Sequence, residues 1–158
     1  MMSALKIVLT SHRIRPNKDR QVRLWSGSAR DNSDFKASFE EIVELYTPEK
    51  SSATNSTREF EGWPAREYNL HFGTHNFAFS HNLPRFDVRP QLGRITAPTL
   101  IVVGRHDFVA PVTASEEIRA GIPTSQLAIF ENSGHSPPTD EPEAFRKRVL
   151  DFLSFSGF

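Results

Sequence analysis

Cysteine is absent from the 158 residues. That excludes disulfides and thiolate metal centres and leaves the chain compatible with any redox compartment. A charge surplus of either sign is absent as well. Lys and Arg total 19, Asp and Glu total 19, and the formal net charge is zero. A nucleic-acid or anionic-membrane binder would carry a basic excess. Long apolar runs are missing too. The N-terminal stretch Met1 to Leu9 is interrupted at Lys6, too short for a signal peptide and far too short to span a bilayer. These absences predict a soluble, cytoplasmic protein with no nucleic-acid and no membrane partner. Hydrophobic residues make up only 37% of the chain, but 13 of them are phenylalanine. Apolar surface is therefore expected in a few concentrated patches.

What is present is organised in three stretches. Residues 1–33 read as a first strand and a loop. Ala4 to Thr10 is β-branched and nearly all apolar, which predicts a short strand. Ser11 to Ser33 is polar and basic and reads as a loop, with strand character only around Val22 to Trp25. Residues 34–92 read as a helical, cap-like segment. Ser38 and Glu41 form a capping-box pair ahead of Ile42, Leu45 and Tyr46, and Pro48 closes that helix. Ser51 to Thr57 is a polar linker. Pro64 opens a helix carrying Ala65, Tyr68 and Phe72, ended by Gly73. Phe77 to Arg89 is aromatic and irregular.

Residues 93–158 change character. Thr99 to Val103 is a continuous apolar run after Pro98, as expected of a strand buried on both faces. Pro111 starts a helix with Ala114 and Ile118, stopped by Gly121. Gln126 to Glu131 is the next strand. Asp140, Glu141 and Pro142 open a last helix with Phe145, Val149, Phe152 and Leu153 turned inward. Strand, helix, strand, helix implies an α/β architecture with a parallel sheet.

The chemistry sits at two strand ends. Asp107 lies four residues past Val103, and His135 lies four past Glu131. Ligands gather beyond the carboxyl ends of parallel strands, on loops that a rigid sheet positions. An acid beside a histidine fixes the imidazole tautomer and stabilises the imidazolium that forms when the base takes a proton. Asp107 and His135 are therefore the candidate catalytic residues.

Ala97-Pro-Thr-Leu-Ile-Val-Val-Gly-Arg-His-Asp-Phe-Val-Ala-Pro111 resembles the acid-bearing segment of the α/β-hydrolase family. Phe130-Glu-Asn-Ser-Gly-His-Ser-Pro-Pro138 resembles its histidine-bearing segment, and Glu141-Pro-Glu-Ala-Phe145 the start of its final helix. The proline iminopeptidase branch is nearest in pattern, and Phe86-Asp-Val-Arg-Pro-Gln-Leu92 also fits it. The resemblance implies a partial α/β-hydrolase fold: a helical cap, the last parallel strands and their flanking helices, with the N-terminal half absent. It implies the acid role for Asp107 and the base role for His135. The family's nucleophile belongs to a Gly-x-Ser-x-Gly turn that precedes the acid in chain order, and no such motif occurs in these residues. The implied reaction is ester or amide hydrolysis, including N-terminal prolyl peptide bonds, and this chain alone is expected to be inactive. The alternatives are a non-catalytic interaction protein, or a subunit completing a site with a separate N-terminal chain.

Other candidates carry less. His71, His75 and His81 lack metal-site spacing, and no metal or cofactor is expected. Asn55-Ser-Thr57 matches a glycosylation acceptor by chance. Phe60, Trp63, Phe72, Phe77, Phe79 and Phe86 either line an apolar substrate pocket or pack the cap. Glu40, Glu41, Glu44, Glu59 and Glu61 read as a solvated face. Ser11 and Ser136 are the serines nearest the presumed rim, and neither has the turn that exposes a nucleophile. Finally, an uncovered strand at Leu5–Leu9 predicts a homo-oligomer joined near it.

Overall fold

Residues 2–49 and 71–155 are described by the structure, a computed structural model. They fall into two compact units: residues 2–45 with 71–86, and residues 46–49 with 87–155.

The first unit is helical. It contains α1 (Met2–Thr10), α2 (Lys18–Ser26), α3 (Asn32–Glu40) and α4 (Phe72–Phe77), followed by a π-helical turn at Ala78–Asn82 and a 3-10 turn at Leu83–Arg85. The strand expected at Leu5–Leu9 is thus a helix. Ala4 and Val8 are buried while Lys6 between them is exposed. A strand would put all three on one face; a helix separates them. The open strand edge on which the Leu5–Leu9 oligomer expectation rested does not exist.

The expected loop at Ser11 to Ser33 also contains a helix. Gln21, Leu24 and Trp25 form the buried stripe of α2. Asn17 caps it by accepting from the Arg20 amide at 3.0 Å. The stripe was hidden because a polar residue fills one of its positions: Gln21 is fully buried and donates to the Ser38 carbonyl at 2.8 Å and to Glu41 at 2.9 Å. Gly27 ends α2 at φ 69°. A Cβ there would meet the Asn76 carbonyl at 2.5 Å, so only glycine suits both the backbone and the neighbour.

The capping box at Ser38 is corrected as well. Asp31 caps α3, accepting from the Asp34 amide at 2.8 Å. Ser38 is buried within that helix and donates to the Asp34 carbonyl at 2.6 Å. Tyr46 belongs to a 3-10 turn, Val43–Tyr46. Gly73 does not end a helix, for it lies inside α4. The part of the expected helix from Pro64 to Leu70, the linker and Asn55 lie outside the described residues.

The second unit contains the sheet. A 3-10 segment, Arg89–Arg94, leads to β1 (Thr99–Gly104), α5 (Val112–Gly121), β2 (Ser125–Phe130), the short α6 (Pro137–Asp140) and α7 (Pro142–Phe155). The strands pair in parallel, from Thr99 opposite Ser125 to Gly104 opposite Phe130. Ile101, Val103, Phe108, Ile122, Ala128, Phe130 and Phe152 form its core. Burying a side chain of this size contributes about 1.5–3 kcal/mol. On α7 the expected inner face is only partly so: Phe152 is buried and Phe145 and Val149 are half-buried, but Leu153 is exposed. Among the described residues no helix is long and apolar enough to cross a membrane.

Candidate active site

Gly104 and Gly134 let the loops after β1 and β2 touch. A Cβ on Gly104 would meet the Gly134 carbonyl oxygen at 2.0 Å, and one on Gly134 would meet the Tyr46 carbonyl oxygen at 2.2 Å. No side chain fits at either point. The loops are then stitched by backbone bonds. Arg105 N–H donates to the Phe130 carbonyl at 2.8 Å, and His106 N–H donates to the Ser133 carbonyl at 2.9 Å.

This contact brings Asp107 to His135. Nδ1–H of the imidazole donates to Oδ2 of Asp107 at 2.8 Å. A carboxylate only accepts, so the bond places the proton on Nδ1 and leaves Nε2 as the basic atom. The other carboxylate oxygen, Oδ1, accepts from the amides of Val109 at 2.8 Å and Ala110 at 2.9 Å. Those two bonds hold Asp107 in a local turn, and its side chain is only 7% exposed against 38% for His135. The buried carboxylate is fixed and the imidazole reaches solvent. The bond to Asp107 raises the His135 pKa above its ordinary 6.5, against the opposing effect of partial burial.

Tyr46 completes the setting, although its sequence position marks only a helical repeat. Its carbonyl accepts from the His135 amide at 2.8 Å. Its ring meets the His135 ring edge-on, with centroids 5.3 Å apart, and the Phe108 ring at 5.2 Å. Burial, aided by the Asp107 charge, pushes its phenol up to about 12. No local motif marks Tyr46, because its contact is with a turn almost ninety residues away in sequence. The carboxylates of Asp140 and Glu141, read as helix-opening residues, also bond to the His135 turn.

The remaining candidates go elsewhere. His71 Nδ1 accepts from the Thr74 amide and caps α4. His75 bonds the Leu24 carbonyl at 2.8 Å and stacks on Phe79, and burial lowers its pKa. His81 bonds Ser80. They form no metal-binding group among the described residues. Glu41 pairs with Arg20 and bonds the Asn17 amide, tying helix ends together. Ser11 accepts from the Arg13 amide in the first unit. Phe77 and Phe86 are exposed, while Phe60, Trp63, Glu59 and Glu61 lie outside the described residues.

A family model described as "alpha/beta hydrolase fold" matches residues 13–142. The chain belongs to this family. Among curated relatives of this α/β hydrolase, a proline iminopeptidase from Heyndrickxia coagulans is 38% identical over 87 residues, covering 55% of this chain and 30% of the relative. A 2-hydroxy-6-oxononadienedioate/2-hydroxy-6-oxononatrienedioate hydrolase from Pseudomonas putida is 46% identical over 67 residues, covering 42% and 23%. Among solved structures, an alpha/beta fold family hydrolase from Bacillus anthracis str. Sterne superposes with a TM-score of 0.64 at 25% identity, over 85% of this chain and 48% of that one. A thermophilic esterase from Thermogutta terrifontis gives 0.65 over 92% and 54% at 24% identity, a likeness of fold. The chain thus matches less than a third of these curated relatives' length and about half of these solved chains.

Proposed function

We propose that this α/β hydrolase supplies the acid and the base of a serine-hydrolase triad, with Asp107 as the acid and His135 as the base. The observation that carries the reading is the 2.8 Å bond from His135 Nδ1 to a buried Asp107 carboxylate, with the imidazole itself reaching solvent. In this role Nε2 takes the proton of an attacking hydroxyl as that oxygen bonds to the substrate carbonyl. It then returns the proton to the departing alcohol or amine, leaving an acyl-enzyme. Water, activated the same way, hydrolyses that ester. Asp107 stays ionised throughout and stabilises the imidazolium. The substrate class is an ester or amide, N-terminal prolyl peptide bonds included, in keeping with the iminopeptidase and esterase names among its relatives. The hydroxyl comes from a Gly-x-Ser-x-Gly turn on other residues, since none occurs in these 158.

The test has two arms. The chain alone, given p-nitrophenyl esters, proline p-nitroanilide and a fluorophosphonate probe, should show no turnover above buffer and no label. The same chain joined to or co-expressed with the preceding, serine-bearing half of a related hydrolase should turn over ester. There His135→Ala should lower kcat by about 10³-fold or more. Turnover by the isolated chain that vanishes in His135→Ala would overturn the division of labour. Full activity of His135→Ala in the joined protein would overturn the base assignment.

A further inference from the structure

Four consecutive backbone amides carry the turn that presents His135, and each has its own acceptor. Asn132 N–H donates to Oε2 of Glu141 at 3.0 Å. Ser133 N–H donates to the Phe130 carbonyl at 3.2 Å. Gly134 N–H donates to Oδ2 of Asp140 at 2.7 Å. His135 N–H donates to the Tyr46 carbonyl at 2.8 Å. The fully buried Ser133 hydroxyl adds a 2.6 Å bond to the same Oε2 of Glu141. Two of the four acceptors are therefore carboxylates. Bonds to ionised acceptors are about twice as strong as neutral ones.

Helix-capping alone does not require this. Glu141 opens α7 through its backbone, its carbonyl accepting from the Phe145 amide at 2.8 Å. Its side chain turns away from that helix and back onto the turn. Both bonds also converge on a single oxygen, which fixes the side chain's direction as well as the turn's. We infer that Glu141, seconded by Asp140, is a positioning residue that sets the His135 turn so that Nδ1 meets Asp107. This rests on the proposed role of His135 only for its catalytic meaning; the alignment itself can be measured without turnover.

Among the described residues, several titratable groups meet the turn, His106 among them through its amide to the Ser133 carbonyl at 2.9 Å. Asp107 and Tyr46 face the imidazole, Asp140 and Glu141 face the backbone, and Arg105 and Glu131 pair with each other at its start at 2.6 Å.

The experiment follows the His135 ring protons and the Nδ1–H resonance by NMR across pH in the full chain. In the parent chain the midpoint should lie above the ordinary histidine value and Nδ1–H should be visible. Glu141→Ala should bring the midpoint down by a few tenths to about one pH unit and broaden Nδ1–H by exchange. Glu141→Gln should retain most of the parent behaviour, because its amide oxygen can accept both bonds at the same place. If Glu141→Gln falls as far as Glu141→Ala, the effect is charge felt through space and the inference is wrong. An unchanged midpoint and Nδ1–H in Glu141→Ala overturns it equally, leaving only a capping role. Should Glu141→Ala fail to fold, Ser133→Ala removes the 2.6 Å bond alone, and the same two resonances decide. Loss of esterase in a joined protein plays no part in this reading, so failure of the catalytic assignment and failure of the positioning assignment are separable.

Discussion

His135 carries a charge that depends on the fold. Its pKa is raised by the bond to Asp107. A group raised on folding stabilises the native state fully below its unfolded pKa, near 6.5, and loses that contribution as pH climbs through the folded value. Asp107→Asn should therefore cost more stability at about pH 5.5 than at about pH 9. The extra cost should stay under about 1 kcal/mol, because the imidazole is more than a third exposed and screened by solvent. Urea titrations of both proteins at the two pH values measure it, and an equal cost at each would show that no proton is linked to the pair. The proposed base action of His135 runs with the opposite sign. Nε2 accepts a proton only when the ring is neutral, so turnover in a joined protein should rise with pH through the same raised value.

At the scale of elements, α1 decides between two readings of one apolar run. Val8 is fully buried and Ile7 is 40% exposed. Val8→Ala removes two buried carbons and should cost about 2 kcal/mol. Ile7→Ala should stay within about 0.5 kcal/mol. Chemical denaturation compares them, and helical Cα shifts over Leu5 to Leu9 give an independent check. Equal losses at both positions, with extended shifts, would restore the strand. A short, mostly apolar stretch such as Ala4 to Thr10 has no period that separates a strand from a buried helix turn. β1 and β2 were legible because each follows a proline or glycine break and ends where polar chemistry begins. Their order with α5 and α7 leaves a parallel pair as the natural arrangement. Asp107 and His135 were legible for the same reason: a strand end is a fixed place. Tyr46, Asp140 and Glu141 were not, since each acts by folding back onto a turn far along the chain or around a corner. α2 was obscured by Gln21, a polar residue whose side chain satisfies its burial with bonds to α3 and Glu41.

At the scale of the whole molecule, the sheet has two strands and no third strand joins either one among the described residues. A two-stranded sheet is marginal without further packing. β1, Thr-Leu-Ile-Val-Val-Gly, carries no charge and no proline to block edge pairing. Large apolar side chains are exposed in the same unit, Leu150 at 50% and Phe155 at 83% among them. We propose that the chain self-associates at the sheet of the second unit, since Leu5–Leu9, where the contact was expected, is helical and offers no strand edge. Light scattering behind a sizing column at micromolar concentration should give about twice the monomer mass or more. Leu100→Lys places a charge on the half-buried Leu100 position of β1 and should return the chain to a monomer without unfolding it, because edge lysines oppose strand pairing. A parent chain that already runs as a folded monomer would mean that the edge of β1 is covered within one molecule. Association that persists in Leu100→Lys would move the contact to the apolar face of α7, where Leu150→Glu is the next substitution to make.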